Sequence, residues 1–169
     1  MTIVSVSTAT ANFRSAVPVS GSELNQVQNY GQRVIAPGAA TYQLKKSESG
    51  SLVMFDSVAV AITLPELKDA TDIGMNFDFF VAVTTTSAHS VTTATTAQFL
   101  GGAVLAYTIA TASPAGFAAN DASHRTLSMN GTTKGGIIGT KFSVTAVTTT
   151  QWVVSGTTVG SGTIITPFA

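Results

Sequence analysis

The chain has 169 residues, 44% of them hydrophobic, no cysteine, and sixteen charged side chains that cancel to a net charge of zero. That balance excludes an electrostatic nucleic-acid binder, which needs a basic face to displace counterions. The lack of cysteine excludes disulfides, zinc–thiolate sites and thiol nucleophiles.

Polarity comes from hydroxyls: 27 Thr and 17 Ser, against three Glu. Thr, Val and Ile are stiff at χ1 and fit a pleated surface, so their abundance predicts an all-β chain. Residues 1–40 read as an N-terminal arm or edge segment holding one early strand. A short helical stripe of Leu24, Val27 and Tyr30 is ended by Gly31, and the segment closes at the Pro37-Gly38 turn. From Thr41 the strand signals strengthen. Thr41–Leu44 alternates, Lys45–Gly50 is a polar turn, and Ser51–Phe55 and Val58–Leu64 read as strands, the second stopped by Pro65. Glu66–Gly74 reads as a helical turn followed by a second turn. Phe77, Phe79, Val81 and Val83 then recur at period two, the clearest strand in the chain, although the opposite face is mixed at Asp78, Phe80 and Ala82.

Ser90–Thr95 and Val104–Ala110 are further strands. Gly101-Gly102 reads as punctuation, and Ser113–Gly116 as a loop continuing through small residues to Ser123. Phe142–Val147 and Gln151–Val154 read as a hairpin, and Gly162–Thr166 as a last strand before Pro167. No internal repeat stands out. Short strands at this spacing predict a jelly-roll-like β-sandwich of about 8–10 strands over residues 41–169.

Chemistry-bearing patterns are sparse. His89 and His124 stand alone, without a second ligand at metal-binding spacing. Glu66, Asp69 and Asp72 share a turn with Lys68 and read as a charged surface, not as a buried acid–base pair. Gly131 and Gly136 have phosphate-loop spacing, but Ile137 occupies the lysine position and a strand follows where a helix is required. No Ser sits in a nucleophile elbow. The sequence therefore predicts no enzyme, no cofactor and no metal site. The start of the chain lacks the basic and apolar regions of an export signal, and no run of 18 apolar residues predicts a membrane span.

The series Ser49-Gly50-Ser51-Leu52-Val53-Met54-Phe55-Asp56, Ile62-Thr63-Leu64-Pro65, Phe77-Asp78-Phe79 and Gln151-Trp152-Val153-Val154-Ser155-Gly156 resembles β-rich virion proteins of tailed bacteriophages. The resemblance covers about residues 41–156 and points to capsid decoration (cement) proteins, particularly of marine and cyanobacterial phages. It implies a structural protein on the capsid surface, assembled in the host cytoplasm, with the major capsid protein as partner and a homotrimer at local three-fold positions. A tail-fibre or receptor-binding domain and a carbohydrate-binding module are the alternatives.

Residues 79–120 and 142–169 carry no charge. Contacts built from them must rest on apolar burial and hydroxyl hydrogen bonds. Arg14, Tyr30 and Arg33 in the arm, with Trp152, are the interface candidates, and the arm is expected to grip a neighbouring subunit or the shell.

Overall fold

The computed structural model describes residues 32–56, 59–84 and 88–169. Eleven strands and two 3-10 turns lie among them. The strands are β1 (Val34–Ile35), β2 (Thr41–Gln43), β3 (Leu52–Phe55), β4 (Ala61–Thr63), β5 (Asn76–Val81), β6 (His89–Thr92), β7 (Phe99–Thr108), β8 (Thr111–Ala118), β9 (Thr126–Met129), β10 (Lys141–Ala146) and β11 (Gln151–Gly160). The all-β expectation holds. The 3-10 turns, Lys46–Glu48 and Ala70–Asp72, are the sole helical elements among the described residues.

Two sheets form, a seven-stranded one in the order β1-β3-β5-β10-β11-β7-β8 and a four-stranded one in the order β2-β4-β6-β9. Their inward side chains meet in one hydrophobic cluster. One inward row of the large sheet is fixed by register: Ile35 beside Val53, Val53 beside Phe79, and Phe79 beside Phe142. The Phe79 and Phe142 rings stack with centroids 4.9 Å apart. Across the core, Tyr42, Ile62 and Val91 align on the small sheet.

The connectivity is not that of a jelly roll. Jelly rolls are built from Greek keys of antiparallel strands, whereas β1/β3, β3/β5, β2/β4, β4/β6 and β7/β11 all pair in parallel. The chain alternates between sheets: β1, β3 and β5 lie in the large sheet, β2, β4 and β6 in the small one. Each step to the opposite sheet supplies the crossover that parallel neighbours need. The first half of the described chain is thus wound in rungs. The β10–β11 hairpin then enters the large sheet between β5 and β7 and separates the third rung from the strand that follows it.

The turns that carry the chain from the small sheet to the large one repeat. In the first, Glu48 is buried, its carboxylate accepts the Lys45 N–H at 2.9 Å, and Gly50 follows at φ 83°. In the second, Asp72 is buried, its carboxylate accepts the Lys68 N–H at 2.6 Å, and Gly74 follows at φ 94°. Both positive φ values fall where a residue with Cβ is strained. The turns also bond to each other, because the Lys46 ammonium reaches the Asp72 carboxylate at 2.5 Å. A third turn uses Gln98, buried, whose amide donates to the Leu67 carbonyl of the second at 2.9 Å. The acid–x–Gly spacing shared by Glu48–Gly50 and Asp72–Gly74 is therefore a structural repeat, where the sequence showed none.

Other elements differ from expectation. Ser113–Gly116 belongs to β8, which pairs with β7 and forms an edge of the large sheet. Pro114 is tolerated there because an edge strand can spare a donor, and it blunts pairing with other chains. Gly101 and Gly102 lie inside β7, and β9 follows the small-residue stretch at a place where no strand was expected. Gly162–Thr166 forms no strand; instead Phe168 makes an antiparallel bridge to Leu127 of β9. Val34 and Ile35 pair with Leu52 and Val53, so the last part of segment 1–40 is an edge of the β unit, which runs Val34–Ala169. Residues 1–31, with the proposed early strand and the Leu24–Tyr30 stripe, lie outside the described residues.

Candidate interaction surface

The outward face of the large sheet departs from what a solvated sheet presents. Such a face normally alternates apolar-in with polar-out. Here Leu52 and Met54 of β3, Phe80 of β5, Val153 of β11 and Leu105 of β7 all point away from the core side of their strands, opposite buried neighbours. Register places Leu52 beside Asp78 and Asp78 beside Ser143, and in the next row Met54 beside Phe80 and Phe80 beside Lys141. Val34 and Leu105 are 53% and 47% exposed, large apolar side chains that gain nothing from water contact. Among the described residues of this face the charged side chains are Asp78 and Lys141.

A shallow depression of about 260 Å³ interrupts the face around Ser143, Ser155 and Gly156, between Asp78 and Lys141. Small side chains produce it, with the Ser143 and Ser155 hydroxyls 3.3 Å apart. No imidazole lines it; the titratable side chains at its edge are Asp78 and Lys141. To one side stands Leu105, beside Thr157 on β11 and Gly116 on β8. The face thus offers an exposed leucine beside a hollow whose rim carries one carboxylate and one ammonium. Six strand spacings and strands of two to ten residues give it an area on the order of 600–700 Å², close to one partner's share of a standard protein interface.

The titratable groups singled out by the sequence have structural roles. Asp69 caps the second 3-10 turn, and the Thr71 hydroxyl, then its N–H, hold its carboxyl below the ordinary value. Asp72 is held low by Lys46 first and by the Lys68 N–H next. Glu66 faces Lys68 at 3.4 Å, both well exposed. His124 accepts the Asn120 N–H at 3.0 Å and stacks on Phe168 with centroids 6.0 Å apart. In the glycine-rich segment the Asn130 side-chain Oδ1 accepts the N–H groups of Thr132, Thr133 and Lys134, so those donors are used within the loop. Among the described residues no three His, Asp or Glu side chains converge as metal ligands, and no helix is long and apolar enough to cross a membrane.

Of the interface candidates, Arg14 and Tyr30 lie outside the described residues, and Arg33 is exposed just before β1. Trp152 must be withdrawn. It is fully buried between Ala146 and Leu100, its ring 6.2 Å from that of Phe77, and can reach neither a partner nor a sugar. The outward apolar side chains Leu52, Met54, Phe80 and Leu105 were not among the candidates. The available signal was failed alternation in Leu52-Val53-Met54-Phe55 and Phe79-Phe80-Val81, which marks strands covered on both faces.

No protein-family model matches the chain, and no curated protein is significantly similar to it.

Proposed function

We propose that this chain is a structural virion protein that decorates and stabilises the outer shell of a tailed-phage capsid, assembling as a homotrimer at local three-fold positions against the major capsid protein. The observation that carries this reading is the outward face of the large sheet: large apolar side chains at Val34, Leu52, Met54, Phe80 and Leu105 set among hydroxyls with few charges, over about the area one partner contributes to a stable interface. A protein whose function is to be covered needs such a face, whereas a solitary one is better served by dispersed charge. The two-sheet sandwich around a single core supplies a rigid support for it. A tail-fibre module is the second reading, favoured by the rung-wise winding with stacked turns, an arrangement that extends by repetition. Burial of Trp152, the sole tryptophan, leaves no indole to stack on a sugar ring and counts against a carbohydrate-binding module.

The test is self-association and shell binding of the full chain and of Leu105→Asp, followed by sedimentation. Leu105 is exposed on the sheet, so a charge there leaves folding within about 0.5 kcal/mol but weakens an apolar contact by about tenfold or more. Raising sodium chloride to 1 M, where the Debye length is about 3 Å, leaves an apolar contact intact. A Leu105→Asp protein that associates as tightly as the natural chain removes this face from the interface.

A further inference from the structure

His89 opens β6 and lies in the seam between the sheets. Its side chain is 1% exposed, and its ring lies 4.6 Å from that of Phe55 in the opposite sheet. The Val60 N–H donates to Nδ1 at 3.2 Å, while the Ser90 N–H donates to the Val60 carbonyl at 3.0 Å. The imidazole therefore fastens the start of β6 to the segment leading into β4. Because Nδ1 accepts, the ring proton sits on Nε2, and Nε2 is buried without a hydrogen-bond partner. A buried donor left unpaired is costly, so the site tolerates the neutral ring and has no acceptor prepared for a charged one.

We propose that His89 is an acid-sensitive latch between the two sheets: neutral, it closes the seam through the Val60 N–H, and protonated, it releases β6 and loosens the small sheet. Protonation puts a hydrogen on Nδ1, which converts the acceptor of the Val60 N–H into a second donor and sets two N–H groups against each other. It also places a positive charge against Phe55, with Val60 and, across the β6–β9 ladder, Met129 as further neighbours, none of which titrates. The charged group whose field reaches the ring is Asp56, at the end of β3; it favours the imidazolium but is outweighed by burial, so the native proton affinity lies below the ordinary histidine value of 6.5. The unfolded chain then binds the proton more readily than the folded one. Stability is present in full above about pH 6.5 and is lost as pH falls from there toward the lower native value. Within that window one proton reduces the folding constant by up to about tenfold per pH unit.

The experiment is equilibrium urea unfolding of the full chain between pH 7.5 and 5, followed by circular dichroism, for the natural protein, His89→Phe and His89→Gln. Phe keeps the packing on Phe55 and removes the titration; Gln keeps a carbonyl acceptor for Val60. The natural chain is expected to lose up to about tenfold in folding constant per pH unit below 6.5, and both variants are expected to be flat over that range. Equal slopes in the natural chain and the variants would overturn the latch. If neither variant folds, imidazole NMR of the natural protein decides: a His89 ring that titrates near 6.5 in an otherwise unchanged native spectrum overturns it, and one that stays neutral until β6 amide protection falls supports it.

Discussion

Trp152→Ala is expected to destabilise the protein by about 3–5 kcal/mol, a large fraction of the 5–15 kcal/mol that holds a domain together. Trp152 has no exposed surface and stands in the middle of the large sheet, flanked by Ala146 on β10 and Leu100 on β7. Those neighbours belong to strands fixed by their own ladders, so they cannot collapse into the vacated volume, and the cavity adds to the lost transfer energy. Trp152→Phe should cost much less. The indole N–H is buried without a partner, and phenylalanine removes that orphan donor while keeping most of the contact with Phe77. Urea unfolding followed by circular dichroism measures both, since the substitution removes the sole tryptophan fluorophore. The midpoint should fall sharply for Ala at unchanged slope. Equal losses for Ala and Phe would show that the site is not packed as described.

Gly156→Ala is expected to cost about 2–6 kcal/mol, the sum of backbone strain and overpacking. Gly156 adopts φ 146°, which L side chains rarely take, and lies directly opposite Phe142 in the β10–β11 register. A Cβ there would lie 2.5 Å from both the Lys141 carbonyl oxygen and the Phe142 Cα. Main chain cannot yield as a flexible side chain does, so the strands would have to separate where Phe142 stacks on Phe79. Gly116→Ala is the control, because its nearest new neighbour would be the Leu105 side chain at 3.9 Å. Thermal midpoints of the two variants should differ by many degrees, and similar midpoints would contradict the close approach of β11 to β10.

Elements that bury one face were legible from the sequence, since their periodicity records that burial. Phe77, Phe79 and Val81 face the core as their alternation required, and the hairpin of residues 142–154 forms β10 and the start of β11. The parallel winding was not legible, because a strand, a turn and another strand give the same local pattern whether the chain returns beside itself or crosses to another sheet. Ser113–Gly116 carried loop composition into an edge strand, where small residues and a proline are tolerated. The repeated turns had a signal in Glu48-Ser49-Gly50 and Asp72-Ile73-Gly74, but one uses Glu and the other Asp, and the third replaces the acid with Gln98. The charge-free segments 79–120 and 142–169 contain β7, β8 and β11 but not β3, and the outward apolar side chains became identifiable only when β3, β5, β7 and β11 were set in register. A single tryptophan invites a binding role, yet nothing local separates a core indole from an exposed one.

Electron microscopy of tailed-phage particles assembled in the presence of this chain tests the central claim most directly. Density for the two-sheet unit is expected on the outside of the capsid at local three-fold positions, in groups of three, with the face bearing Leu105 and Phe80 covered by a neighbouring subunit or by the shell. Density confined to the tail, or a unit on the capsid whose large-sheet face stands open to solvent, would contradict it.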